Sequence, residues 1–195
     1  MINTPRHMST RWAAEESQRL LRNEPVGRRL HSVSVGLKAT CLARQLGRDG
    51  DVLIAAAYLH DIGYSYELRR TGFHPLDGAF HLRDRGLERL ACLVAHHSSS
   101  EYAADLLGLT RQLRLFSCEN SFLMDALTYC DMTTDLNGQE VSFDERLMDV
   151  TARYRRNHPV ALALDSAEPS LRASMRRVEE WLASQSNLAC GSLAR

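Results

Sequence analysis

At 195 residues the chain is long enough for one domain with a sizeable core and too short for two full ones. Lys+Arg 24 balances Asp+Glu 24, so no net field draws in nucleic-acid backbone or an anionic membrane, and neither is expected as a partner. The longest apolar run, residues 52–59, cannot span a bilayer, and the first residues lack the apolar core of a signal peptide. A cytoplasmic protein is expected. Cys41, Cys92, Cys118, Cys130 and Cys190 are odd in number and widely spaced, so they read as buried reduced thiols rather than a disulfide framework or a zinc site.

Apolar residues recur at helical spacing along almost the whole chain, and no alternating β-branched run argues for a sheet, so the expected fold is all-α. A first amphipathic helix covers residues 10–23 and stops before Glu24-Pro25. The second runs from about residue 28 to Gly47, with Leu30, Val33, Leu37 and Cys41 marking its apolar face. The third, from about Asp51 to His60 or Asp61, is nearly all apolar and belongs at the centre of a bundle. His74-Pro75 opens a helix with proline in its first turn, and that helix ends near Gly86. The next starts near Leu87 and reaches the polar run 97–100. Further helices are expected over 119–131 and 143–156, separated by the loop 133–138. Beyond Asn157-His158-Pro159 a small-residue linker leads to Glu168-Pro169-Ser170. Leu171, Met175, Val178 and Leu182 then mark a closing amphipathic helix, followed by a frayed tail from residue 185.

Histidines and carboxylates gather at the expected helix ends. His60-Asp61-Ile62-Gly63 closes the most apolar helix, and a carboxylate buried there needs a cationic partner, which a metal ion supplies. Leu30-His31-Ser32, Leu59-His60-Asp61-Ile62-Gly63, His96-His97-Ser98 and Cys130-Asp131-Met132 stand in that order along the chain. This ordered set, from about Leu30 to Tyr154, resembles the HD superfamily of metal-dependent phosphohydrolases. The resemblance implies an HD-domain helical bundle over residues 28–157, with an N-terminal helical segment (1–27) and an added C-terminal helix (158–184).

By the same resemblance, His31, His60, Asp61 and Asp131 ligate one metal ion. The segment 73–79, with His74, and the segment 94–99 are similar to those of binuclear members such as the bacterial diadenosine tetraphosphate hydrolases. That implies a bridging Asp61 and a second ion on His74 and one of His96 or His97. His97 is favoured by the two serines after it; His96 is either a further ligand or a substrate contact. Read from the residues alone, a helix-capping imidazole is the lesser alternative for His74, while His81 is a solvated helix histidine and His7 and His158 are surface residues.

Several imidazoles with two carboxylates suit one or two Fe, Mn, Co, Ni or Zn ions. The implied reaction is attack of metal-activated water on a phosphate ester or anhydride, with Asp61, His60 and His97 at the reacting centre. A nucleotide or related small phosphorylated metabolite is the expected substrate, and a homo-oligomer is compatible with the chain. Many HD phosphodiesterases carry lysine directly after His-Asp-x-Gly, whereas this chain has Tyr64. Arg69 and Arg70 are then the nearest candidate phosphate contacts, or else solvated loop arginines. Asp135 is expected to touch substrate, to orient a ligand histidine, or to cap its own loop. Specificity is expected to reside in segments 65–72 and 98–105. Two alternatives share the motif: a mixed-valent di-iron oxygenase of the same superfamily, and a non-catalytic nucleotide-binding module.

Overall fold

The computed structural model describes residues 9–47, 49–153 and 158–192, with side chains as far as residue 185. Among the described residues ten α-helices follow one another: α1 (Thr10–Leu20), α2 (Val26–Ala43), α3 (Asp49–Leu59), α4 (His74–Asp84), α5 (Glu88–His96), α6 (Glu101–Leu106), α7 (Thr110–Leu113), α8 (Phe122–Met132), α9 (Phe143–Arg153) and α10 (Pro159–Ser192). Short 3-10 turns cover Ile62–Tyr64, Tyr66–Leu68 and His97–Ser99. Among the described residues there is no strand, only an isolated bridge between Thr134 and Glu140. The all-α expectation holds, and no described helix is long and apolar enough to cross a membrane.

As its composition predicts, α3 lies at the centre, with Val52, Leu53, Ala55, Ala56, Ala57 and Leu59 buried between α1, α2, α5 and α8. The burial of α2 differs from its expected face. Leu30 and Leu37 are exposed at 45% and 57%, Cys41 is exposed too, and the buried residues are His31, Ser32, Val35, Gly36, Ala39, Leu42 and Ala43. The reason is close packing on α3: a Cβ at Gly36 would stand 2.5 Å from the Tyr58 ring. Only the small-residue face of α2 permits that approach, so size decides over hydrophobicity. Helix α2 ends at Ala43 rather than Gly47, whose positive φ of 56° serves the turn into α3. Cys118 is exposed as well, so only Cys92 and Cys130 among the described thiols are buried as expected.

The expected linker over 158–170 is instead the first part of α10. Ala161, Ala163, Ala167 and Leu171 are buried, the last two beside Met132 and Phe143, and this packing outweighs the local break. Pro169 deprives the Asp165 carbonyl of its helical donor, but both residues are on the exposed side, where water replaces it. Residues expected to fray from 185 onward continue the helix to Ser192. The last part of the helix expected over 143–156, along with Tyr154 and His7, lies outside the described residues.

His81 is not a solvated helix histidine. It is buried at 7%, with Nε2 3.1 Å from Glu16 Oε1 on α1. Arg85 donates to its Nδ1 at 3.1 Å, which leaves Nε2–H as the donor to Glu16. Hydrogen bonds from Arg19, and then from His81, outweigh burial and hold Glu16 down at about 2. A carboxylate lowered in this way adds stability above its unfolded value near 4.5, and the gain is lost as pH falls toward 2. Glu16→Gln is therefore expected to cost about 2 kcal/mol at pH 7, with the deficit shrinking between pH 4.5 and 2 in urea unfolding of both proteins.

Gly63 is held by contact, not by its dihedral angles. A Cβ there would lie 1.9 Å from the His74 carbonyl oxygen and 2.6 Å from the Gly78 nitrogen, because the turn after α3 sits directly on the first turns of α4. Gly63→Ala must push α4 away and is expected to lower stability by about 3 kcal/mol, read from the urea midpoint at unchanged m-value.

Candidate metal centre

Six side chains from five separate stretches of the chain converge. His31 lies in the second turn of α2, and His60 and Asp61 directly follow α3. His74 opens α4, His97 follows α5, and Asp131 lies in the last turn of α8. Each position has a local cause. The all-apolar α3 carries His60-Asp61 into the core at its end, and the Gly63 contact sets His74 against that turn. The buried Asp77 carboxylate accepts from the backbone of Thr71 at 2.7 Å and of Gly72 at 3.0 Å, fixing the approach to α4. At α8, Ser121 caps the helix by accepting from Met124 N.

The donors fall into two triads, His31–His60–Asp131 and Asp61–His74–His97, within each of which the candidate ligand atoms lie within 4.8 Å of one another. Asp61 faces both. Its Oδ2 is 3.4 Å from His60 Nε2 and 3.8 Å from His31 Nε2, while its Oδ1 is 3.4 Å from His74 Nε2. His74 Nε2 and His97 Nε2 are 3.3 Å apart, and Asp131 Oδ1 is 3.0 Å from His31 Nε2 and 3.8 Å from His60 Nε2.

Three of the rings are aimed by the backbone. His31 Nδ1 donates to the Asp135 carbonyl at 3.1 Å, His60 Nδ1 to Ala57 at 2.7 Å and His97 Nδ1 to Val94 at 2.6 Å. Donation from Nδ1 leaves the Nε2 lone pair facing the cluster, which is the arrangement a metal-ligating imidazole needs. His60 Nε2 is buried and has no hydrogen-bond partner. A buried ring nitrogen left without a partner costs about 1–3 kcal/mol, and a cation at the cluster removes that cost. The set of four imidazoles and two carboxylates can hold divalent metal and suits transition ions better than magnesium.

The electrostatics agree. Against the desolvation of burial, Arg28 and His60 hold the Asp61 carboxyl well below the usual range. Asp131 is likewise kept low, mainly by its contact with His31. Burial works against charge on His60, but Asp61 and Asp131 outweigh it and push the imidazole up to about 9. His74 and His97 go the other way, lowered by burial first and by neighbouring cationic groups.

Three neighbours complete the surroundings; the sequence reading marked Ser98 only as a motif residue and did not mark Arg28 or Arg146. Arg28, one turn before His31 on α2, pairs with Asp61 Oδ2, and its guanidinium lies 3.9 Å from the Tyr64 ring centroid. Tyr64 in turn stacks on His74 at 4.1 Å. Ser98 donates to Asp131 Oδ2, and both Ser98 and Ser99 adopt left-handed backbone (φ 50° and 56°) to make the turn after His97. Such conformations cost about 1 kcal/mol or more each and collect at functional sites. Arg146 on α9 is buried, lies 3.9 Å from Asp131 Oδ1, and has an Nε with no partner. The i−3 spacing from His31 could have flagged Arg28; nothing local marks Arg146.

Other expected site residues lie apart. His96 is buried but turned away, with Nε2 donating to the Phe116 carbonyl at 2.9 Å. Arg70 pairs with Asp84 over the Phe80 ring, and Arg69 lies over Tyr66, so the loop carries both outward. The Asp135 carboxylate accepts from the backbone of Asn137 and Gln139, capping its loop, and only its carbonyl reaches the cluster, through His31. The segment 98–105 is already helical from Glu101.

Elemental analysis of the purified chain is expected to find two ions per chain. His74→Ala lowers that toward one, His97→Gln lowers it as well, and His96→Gln leaves it unchanged.

The HD domain profile matches residues 28–150. No curated protein and no solved structure gives a significant match. The profile covers well over half of the 195 residues, and all six donors fall inside it, so the chain belongs to the HD domain family.

Proposed function

We propose that this protein is a metal-dependent phosphohydrolase acting on a phosphate ester or anhydride of a small metabolite. HD domains are generally enzymes of that class, and the observation that carries the reading is the pair of triads, with Asp61 facing both, beside one buried and one partly buried guanidinium group. His31, His60 and Asp131 would hold one divalent ion and Asp61, His74 and His97 a second, with Asp61 common to both. Bound there, such ions supply an activated water and neutralise phosphoryl oxygens.

The chain's own charges select the ligand. Asp61, Asp131 and Asp149 bring three negative charges, and Arg28, Arg146 and Arg153 bring three positive ones. Any divalent ion added to this balanced set leaves a surplus of positive charge facing the cavity, and a phosphate dianion offsets it. Arg28 is braced against Tyr64 and offers a planar fork suited to two phosphate oxygens. The unpartnered Arg146 Nε supplies a further donor. Ser98 keeps one oxygen of Asp131 occupied, so the other remains directed at His31 and His60.

Protein loaded with manganese, cobalt or ferrous ion is expected to release inorganic phosphate from a panel of organic phosphates. Arg28→Met and Arg146→Met are each expected to lower kcat/KM about 100-fold while retaining metal content. Oxygen uptake by the ferrous protein on a phosphonate or polyol panel, without phosphate release, would overturn the proposal in favour of an oxygenase. Nucleotide binding without turnover under any of these ions would favour a non-catalytic module.

A further inference from the structure

The space in front of the two triads has a second character that the phosphate reading does not use. A cavity of about 450 Å³ opens on Asp61, His74, His97 and Asp131, a size ordinary for a small-molecule site. Away from the donors its wall is largely aliphatic: Ala103 from α6 and Leu107 just after it, Met132 from α8, Val150 from α9, and Leu164 and Ala167 from α10. Among the described residues no asparagine or glutamine lines it, and its only carboxylates are the two candidate ligands. Base edges and ribose hydroxyls are commonly read by such groups, and the described part of the wall lacks them.

Stacking is equally poorly served. The Tyr64 ring has His74 on one face and the Arg28 guanidinium on the other, and Phe73 is buried. The remaining polar side chains are already engaged: Ser100 with the Ala95 carbonyl, Ser99 with Ser170, Arg153 with Asp149 at 2.9 Å, and His158, whose Nδ1 accepts from the Val160 backbone at 3.2 Å.

We infer that the substrate is a phosphate monoester of a compact apolar alcohol, its phosphate held at Arg28 and Arg146 and its hydrocarbon group lying against α6, α9 and α10. The inference rests on the phosphohydrolase reading and replaces the nucleotide expected from the sequence. A nucleoside placed in this cavity would give up the hydration of its base and ribose without recovering hydrogen bonds. An alkyl or aryl group loses nothing of that kind and gains from burial.

The test is binding of n-alkylphosphonates, methyl to hexyl, to the manganese-loaded protein by titration calorimetry, with inorganic phosphate and AMP alongside. Affinity is expected to rise about three- to fourfold per methylene until the cavity is filled, with AMP weaker than hexylphosphonate. Leu107→Ser, at a half-exposed position that tolerates change, and Leu164→Gln are each expected to flatten that rise. A flat chain-length profile, or AMP binding more tightly than hexylphosphonate, overturns the apolar-alcohol inference and leaves the phosphohydrolase reading standing. Failure of phosphate, AMP and every phosphonate to bind overturns the reading beneath it as well.

Discussion

Asp61 is a carboxylate buried in the middle of a helical bundle, and its ionisation is the constraint that organises its surroundings. Removing a charge from water without compensation is costly, so the chain surrounds it with Arg28, His31, His60 and His74. Each of those needs its own anchor. Arg28 is braced on Tyr64, Tyr64 on His74, and His74 is set in place by the turn at Gly63. The ordinary business of helix packing and the satisfaction of one charge are thus solved by the same contacts.

The backbone contributes as much as the side chains. Helix ends leave carbonyls without intrahelical partners, and here those carbonyls fix imidazoles: Ala57 and Val94, three residues back in their own helices, hold His60 and His97. The left-handed pair Ser98-Ser99 turns the chain sharply after His97 and presents a hydroxyl to Asp131 in the same movement. Ligand geometry is therefore built into helix termination rather than left to rotamer choice.

Much of the centre was legible in the sequence because its chemistry is concentrated at recognisable places. His60-Asp61 ends the most apolar helix, Gly63 follows, and His74-Pro75 starts another, so spacing and helix punctuation carry the signal. What escaped was set by tertiary packing. The face of α2 was misread because large apolar residues suggest burial, whereas contact with Tyr58 demanded Gly36 and its small neighbours. Pro169 looked like a boundary, but an alanine-rich face held the helix through it. His81 gave no hint of Glu16, far away in sequence, and Arg146 none of Asp131. His96 and His97 are adjacent and chemically identical, and only the direction in which α5 ends separates the one that faces the cluster from the one bound to Phe116.

The six donors are drawn from five separate stretches between His31 and Asp131, with no two stretches supplying a complete triad by local sequence alone. A centre dispersed in this way behaves as an assembly product. A nascent chain that lacks α8 holds all three residues of the Asp61–His74–His97 triad but only His31 and His60 of the other, which waits for Asp131. Completing the dispersed centre is thereby tied to the last helices to fold, and any ion held there would fasten α2, α3 and α8 to one another.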